Sequence, residues 1–148
     1  MAGVRLGYGI TENEELLEKM TQATQPWNIS IPAQAAGIAA LGEVEYVERA
    51  RKLIFAESEY LSEELYKLGM TVFPSQANYL FFKGPDDLFE ICVGQNVLIR
   101  ACSIYPGLGK GFYRVAVRTH EENERLIQAI HDGLMEARKK TQEEEGEE

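Results

Sequence analysis

The stretch FYRVAVR (residues 112–118) places Arg114 and Arg118 four apart in an apolar, β-branched run, directly after the glycine-rich PGLGKG (106–111). Two chemistries compete there. A phosphate-cradling loop needs glycine amides around the phosphate, then a lysine followed by Ser or Thr at the opening of a helix. Here Gly111 follows Lys110, and the next residues alternate as a strand does. We therefore read 112–118 as a strand and 106–111 as a flexible turn that delivers it. With a side-chain period of two, Tyr113, Val115 and Val117 share one face, and Phe112, Arg114, Ala116 and Arg118 share the other. The second face is either ordinary solvated surface or a guanidinium fork that grips a carboxylate or phosphate through paired N–H donors. The residues alone leave both readings open.

Other reactive side chains are sparse. Cys92 and Cys102 are too few for a disulfide framework and have no metal-ligand spacing with His120 or His131. Both histidines lie on or beside the last helical pattern with no partner in view, so we expect both at the surface. The chain has 148 residues, enough to bury a core without staples. Its formal net charge is −9, and five of those negatives sit in EEEGEE at 143–148. A like-charge block without apolar residues buries nothing, so we expect residues 139–148 to form a disordered acidic tail. This acidity argues against nucleic acid as a partner, and no apolar run is long enough for a membrane. With no signal peptide visible, we expect a cytoplasmic protein.

The elements that must position these groups follow from periodicity. VRLGYGI suggests an opening strand, and Thr11 with Glu14 suggests a capping box before Leu16, Leu17 and Met20 at helical spacing. Ser30 should cap a second helix, with Pro32 in its first turn and Gly42 at its end. A long helix over 43–68 carries Val47, Ala50, Ile54, Leu61, Leu65 and Leu68 on one stripe and stops at Gly69. Beyond it, MTVFP and NYLFFK read as strands, PDDLFEICVGQ as a short helix, VLIRA and FYRVAVR as strands, and Thr119 with Glu122 as the cap of a final helix. The order β-β-α-β-β-α after a long helix predicts an α+β fold, with helices on one face of a mostly antiparallel sheet.

GVRLGYGI, QPWNISIPAQAAGIAAL, FPSQANYLFFK and VLIRACSIYPGLGKGFYRVAVRTHEENERLIQAI occur in this order over about residues 2–137. Together they resemble the C-terminal part of fold-type-I aminotransferases dependent on pyridoxal phosphate. The likeness is greatest to histidinol-phosphate aminotransferases and threonine-phosphate decarboxylases. The resemblance implies that residues 1–42 are the end of a large domain, with a strand and two helices, and that 43–138 are the small C-terminal domain. In that family the cofactor forms a Schiff base with a lysine eight residues before an arginine that pairs with the cofactor phosphate. Arg5 matches this arginine, and eight places before it fall ahead of Met1. We therefore expect this chain to lack the lysine and the catalytic residue it represents, to be a segment of a longer enzyme, and not to hold the cofactor tightly by itself.

The resemblance also assigns the arginines. Arg114 matches the family's arginine for the substrate's carboxylate or other acidic group, and Arg100 matches a second anion-binding arginine of the members with phosphorylated substrates. Asn78 matches an asparagine that could touch substrate or simply satisfy a strand edge. Tyr105 could line the site, whereas Arg118 falls on surface. Trp27 and Asn28 match a PWN stretch near the family's active site and subunit boundary, although a tryptophan before a helix is often a packing residue; Tyr8 is open to either reading. The resemblance thus implies a segment of a homodimeric aminotransferase or decarboxylase for small phosphorylated or carboxylated amines, silent in isolation. The alternative is a stand-alone, non-catalytic binding domain of the same fold. An RNA-binding sheet is disfavoured by the net acidity and by the lack of an aromatic-basic motif.

Overall fold

A computed structural model describes residues 2–145. The chain divides inside its long helix into two compact units, one ending at Glu48 and the other starting at Arg49. The division falls six residues past Gly42, because the helix that begins after that glycine runs unbroken through it.

The first unit opens with a short 3-10 turn, Ala2–Val4, followed by α1 (Glu14–Ala23) and α2 (Ile31–Leu41). The strand predicted over VRLGYGI does not form. No described strand pairs with residues 5–11, and a lone strand leaves its backbone N–H and C=O groups without partners. The predicted Thr11–Glu14 box is also displaced. Asn13 is the N-cap, its side chain accepting from Leu16 N at 2.9 Å, while Thr11 Oγ1 accepts from Asn13 N at 3.2 Å. Asparagine is the stronger cap of the two. For α2 the expected ends hold: Ser30 Oγ accepts from Ala33 N at 3.3 Å, and Gly42 closes the helix.

The second unit contains most of α3 (Val44–Lys67), then β1 (Thr71–Phe73), β2 (Tyr79–Lys83), α4 (Leu88–Gly94), β3 (Arg100–Ala101), β4 (Phe112–Ala116) and α5 (His120–Glu145). α3 stops where Gly69 takes φ +83°, with Met70 N bonded back to Leu65 O at 3.0 Å, the left-handed ending that glycine permits without strain. The four strands are all antiparallel in the order β1-β2-β4-β3, so β4 is a central strand although it comes last in sequence. Leu80 and Phe82 of β2 and Tyr113 and Val115 of β4 point to one face. There they meet Leu61 and Leu65 of α3, Leu88 and Cys92 of α4, and Leu126 and Ile130 of α5. This is the predicted α+β layering. No described helix is long and apolar enough to cross a membrane.

α5 continues to Glu145, across residues 139–145 where a disordered tail was expected. Its last turns hold Ala, Arg, Lys, Gln and Glu, which are strong helix formers, so propensity extends the helix beyond its apolar stripe. Residues 146–148 of that expected tail lie outside the described residues.

Candidate anion-binding site

The face of the sheet away from the helices carries the chemistry. Because Tyr113 and Val115 are buried, strand alternation turns Phe112, Arg114 and Ala116 outward. Across β4, Arg114 pairs in register with Phe81 of β2 on one side and with Arg100 of β3 on the other. Two like charges directly opposite on neighbouring strands repel each other, and an anion bound between them removes that repulsion. The guanidinium carbon of Arg114 also lies 4.6 Å from the centre of the Tyr79 ring. Farther along the same face, Phe73, Phe81 and Phe112 stack with ring centres 5.1 and 5.7 Å apart, and Lys83 Nζ sits 5.6 Å from the Phe112 ring centre.

Beside Arg114 is an open groove of about 700 Å³ whose walls include Asn78, Tyr79, Arg100, Arg114, Arg118 and Arg125. Four arginines thus face it with one carboxylate, Glu122, in a chain whose net charge is −9. Arg118 is held by Glu122 at 2.8 Å. Among the described residues Arg100 and Arg114 have no ion pair, so their N–H donors remain available to a ligand. A second groove of about 610 Å³ is lined by Phe73, Phe81, Tyr105 and Leu108 and shares Tyr79 and Arg114 with the first.

Three residues singled out in the sequence, Arg100, Arg114 and Asn78, therefore come together. Asn78 anchors its stretch through its carbonyl, which accepts from Val117 N at 2.9 Å, and the residue borders the groove. Tyr105 lines the second groove. Arg118 is exposed, as expected, but it also borders the first groove. Arg5 lies in the other unit, exposed, with a left-handed backbone at φ 58°, a costly conformation for a non-glycine residue. Tyr79 and Arg125 were not anticipated. Arg125 was legible in principle, since 118, 122 and 125 follow helical spacing; Tyr79 needed the strand register.

The histidines are not partnerless. His120 Nδ1 lies 3.1 Å from Glu57 Oε1 and Nε2 lies 3.4 Å from Glu124 Oε1, while the ring centres of His120 and Tyr60 are 4.7 Å apart. His131 Nδ1 is 3.0 Å from Asp132 Oδ1. Both side chains remain about half exposed, and each partner is one that helix packing or adjacency supplies. Burial pushes the Cys92 thiol up to about 11, so it is a packing group rather than a nucleophile. No cluster of metal-ligating side chains occurs among the described residues.

The sequence profile of the family described as aminotransferase class I and II matches residues 1–130. The chain belongs to this aminotransferase family. It is 35% identical over 134 residues to a histidinol-phosphate aminotransferase of Methanosarcina mazei, covering 88% of this chain and 35% of that protein. It is 33% identical over 136 residues to a threonine-phosphate decarboxylase of Salmonella typhimurium, covering 89% and 37%. The crystal structure of a histidinol-phosphate aminotransferase from Clostridium acetobutylicum superposes with a TM-score of 0.82 at 31% identity, over 89% of this chain and 41% of that one. The chain thus spans about two fifths or less of the relatives it matches. One matched structure, a histidinol-phosphate aminotransferase from Sinorhizobium meliloti with a TM-score of 0.67 at 16% identity, is a complex with pyridoxal-5'-phosphate.

Proposed function

We propose that the chain forms the substrate-anion-binding part of a pyridoxal-phosphate-dependent aminotransferase or decarboxylase acting on small phosphorylated or carboxylated amines. The observation that carries this reading is the cross-strand pair of Arg100 and Arg114, opposed in register and facing a groove with one carboxylate. An anionic tail bound between two guanidinium forks fixes the substrate's orientation, which places its reacting bond and lowers the entropic part of the barrier. Asn78 stands where it can add a hydrogen bond, and the Tyr105-lined groove can receive an uncharged part of the molecule.

For the cofactor, the residues of this chain fit only in part. Arg5 suits a phosphate by its chemistry, yet no lysine lines either groove. When bound, the cofactor supplies an electron sink; the residues here bind and orient. We place Arg5 on the cofactor phosphate and a homodimer as the assembled state, both on the family likeness alone. The lysine-free linings also suit a stand-alone domain that binds small anions without turnover. A reading frame that continues upstream into a Ser-x-x-Lys motif favours the enzyme.

In the protein encoded by the complete frame, Arg114→Lys keeps the charge but loses the fork. Its kcat/KM for a phosphorylated amine should fall about tenfold or more, matching the ~1.5–3 kcal/mol of a charge-assisted hydrogen bond. Arg118→Lys, whose partner is Glu122, should be nearly silent. Unchanged kinetics for Arg114→Lys would refute the role, and equal losses at both positions would move the site.

A further inference from the structure

Arg114 faces a difficulty that its function creates. Its cross-strand neighbour on β3 is Arg100, a like charge that pushes the guanidinium away. On the β2 side, Tyr79 opposes Ala116 and is therefore the diagonal neighbour of Arg114, within reach of a long side chain. Its ring centre lies 4.6 Å from the guanidinium carbon.

We propose that Tyr79 is a positioning residue for anion recognition: its ring holds the Arg114 fork in place without consuming the charge or the donors that a ligand needs. This rests on the anion-binding reading above. Glu122 holds Arg118 differently, as a carboxylate 2.8 Å from its Nη2, occupying both charge and N–H groups. An aromatic face attracts a cation through its quadrupole and leaves the N–H edges of the planar guanidinium free. The contact also joins two strands whose relative register is fixed by five consecutive residue pairs, so the ring is a stable support. Tyr79 and Arg114 are the two residues common to the linings of both grooves. Removing the ring frees the guanidinium to swing into the aromatic groove, away from Arg100.

The test uses the 148-residue chain and inorganic phosphate as the probe. In the ligand-free protein, the Arg114 Nε–H resonance should carry a ring-current shift that survives in Tyr79→Phe and disappears in Tyr79→Leu. Phosphate affinity, from titration of the same samples, should stay within about twofold of wild type in Tyr79→Phe. It should weaken about two- to fivefold in Tyr79→Leu, the worth of an exposed cation–π contact. Tyr79→Ile, better suited to a strand, replaces Tyr79→Leu if that variant does not fold. A resonance indifferent to loss of the ring, or equal phosphate affinity in wild type and the aliphatic variants, overturns the assignment. Wild type that binds no phosphate overturns the anion-binding reading itself, and this role with it.

Discussion

Gly111 sits at φ +82°, and a Cβ there would lie 2.8 Å from Asp86 Oδ1 and 2.9 Å from Gly84 O. Its own carbonyl accepts from Gly84 N at 2.9 Å, which ties the start of β4 to the end of β2. Tyr113, two residues on, shares its hydroxyl proton between the carbonyls of Pro85 and Asp86 at 2.7 and 2.9 Å. The turn before Arg114 is therefore a fitted joint at this residue, more constrained than the flexible turn that the glycine content suggests. Gly111→Ala should cost about 2 kcal/mol in urea unfolding, from left-handed strain and the close approach. Gly109, with nothing within 4 Å of a built Cβ, is the control, and its alanine variant should be nearly neutral. Equal, small effects at both positions would mean that the joint relaxes freely.

At the scale of elements, the junction of β4 and α5 depends on one buried amide. Asn123 Oδ1 accepts from Arg118 N at 3.1 Å, and its Nδ2 donates to Arg118 O at 3.0 Å and to Glu57 Oε2 at 2.9 Å. One side chain thereby clamps the end of the strand and links it to α3. Asn123→Ala removes the side-chain partner of a part-buried N–H and carbonyl at Arg118 and one of the two partners of the Glu57 carboxylate, which is only 8% exposed and keeps His120, so we expect a loss of about 2 kcal/mol with altered groove geometry. A loss under about 0.5 kcal/mol would show that water replaces the amide at no cost. The cap of α5 gives a pH signature. The Thr119 hydroxyl, 2.9 Å from Glu122 Oε2, is the main cause of a lowered Glu122 pKa, with Arg118 adding to it. A carboxyl whose pKa is depressed on folding stabilises the fold above its ordinary range, and that stabilisation is lost as pH falls through the lowered value. Thermal melts on the acid side should show this loss in wild type and not in Glu122→Gln; identical profiles would remove Glu122 from the cap. These elements were partly legible. The caps at Ser30, Gly42 and Gly69 are local signals and held, and the expected apolar stripe packs against the core from Ile54 to Leu68, whereas Val47 at its start is exposed. The strand over VRLGYGI did not form, because alternation marks a strand only where a neighbour supplies hydrogen bonds. Asn123 was missed because its role lies in a backbone five residues back and a carboxylate 66 residues away.

For the whole molecule, charge is distributed unevenly. An overall balance of −9 surrounds a groove with four arginines and one carboxylate, so an anion is attracted locally by a protein that repels it at distance. Salt should therefore have two opposing effects on phosphate binding, weakening the contact and screening the long-range repulsion. Composition showed only the net sign. Arg100 and Arg114 were joined in one site by resemblance, and the register then set them opposite each other, which no spacing along the chain reveals. The sheet order β1-β2-β4-β3 has a further consequence during synthesis. β1 and β2 emerge early and can pair at once, and β3 follows, but the strand that lies between β2 and β3 is made last. Until residue 112 appears, the growing chain holds the β1–β2 hairpin and an unpaired Arg100–Ala101 segment, with Leu80 and Phe82 lacking the cover of β4 and α5. A chain arrested at Lys110 should accordingly keep helical α3 yet aggregate, whereas release a few dozen residues later, with β4 and α5 present, should give a closed and soluble second unit.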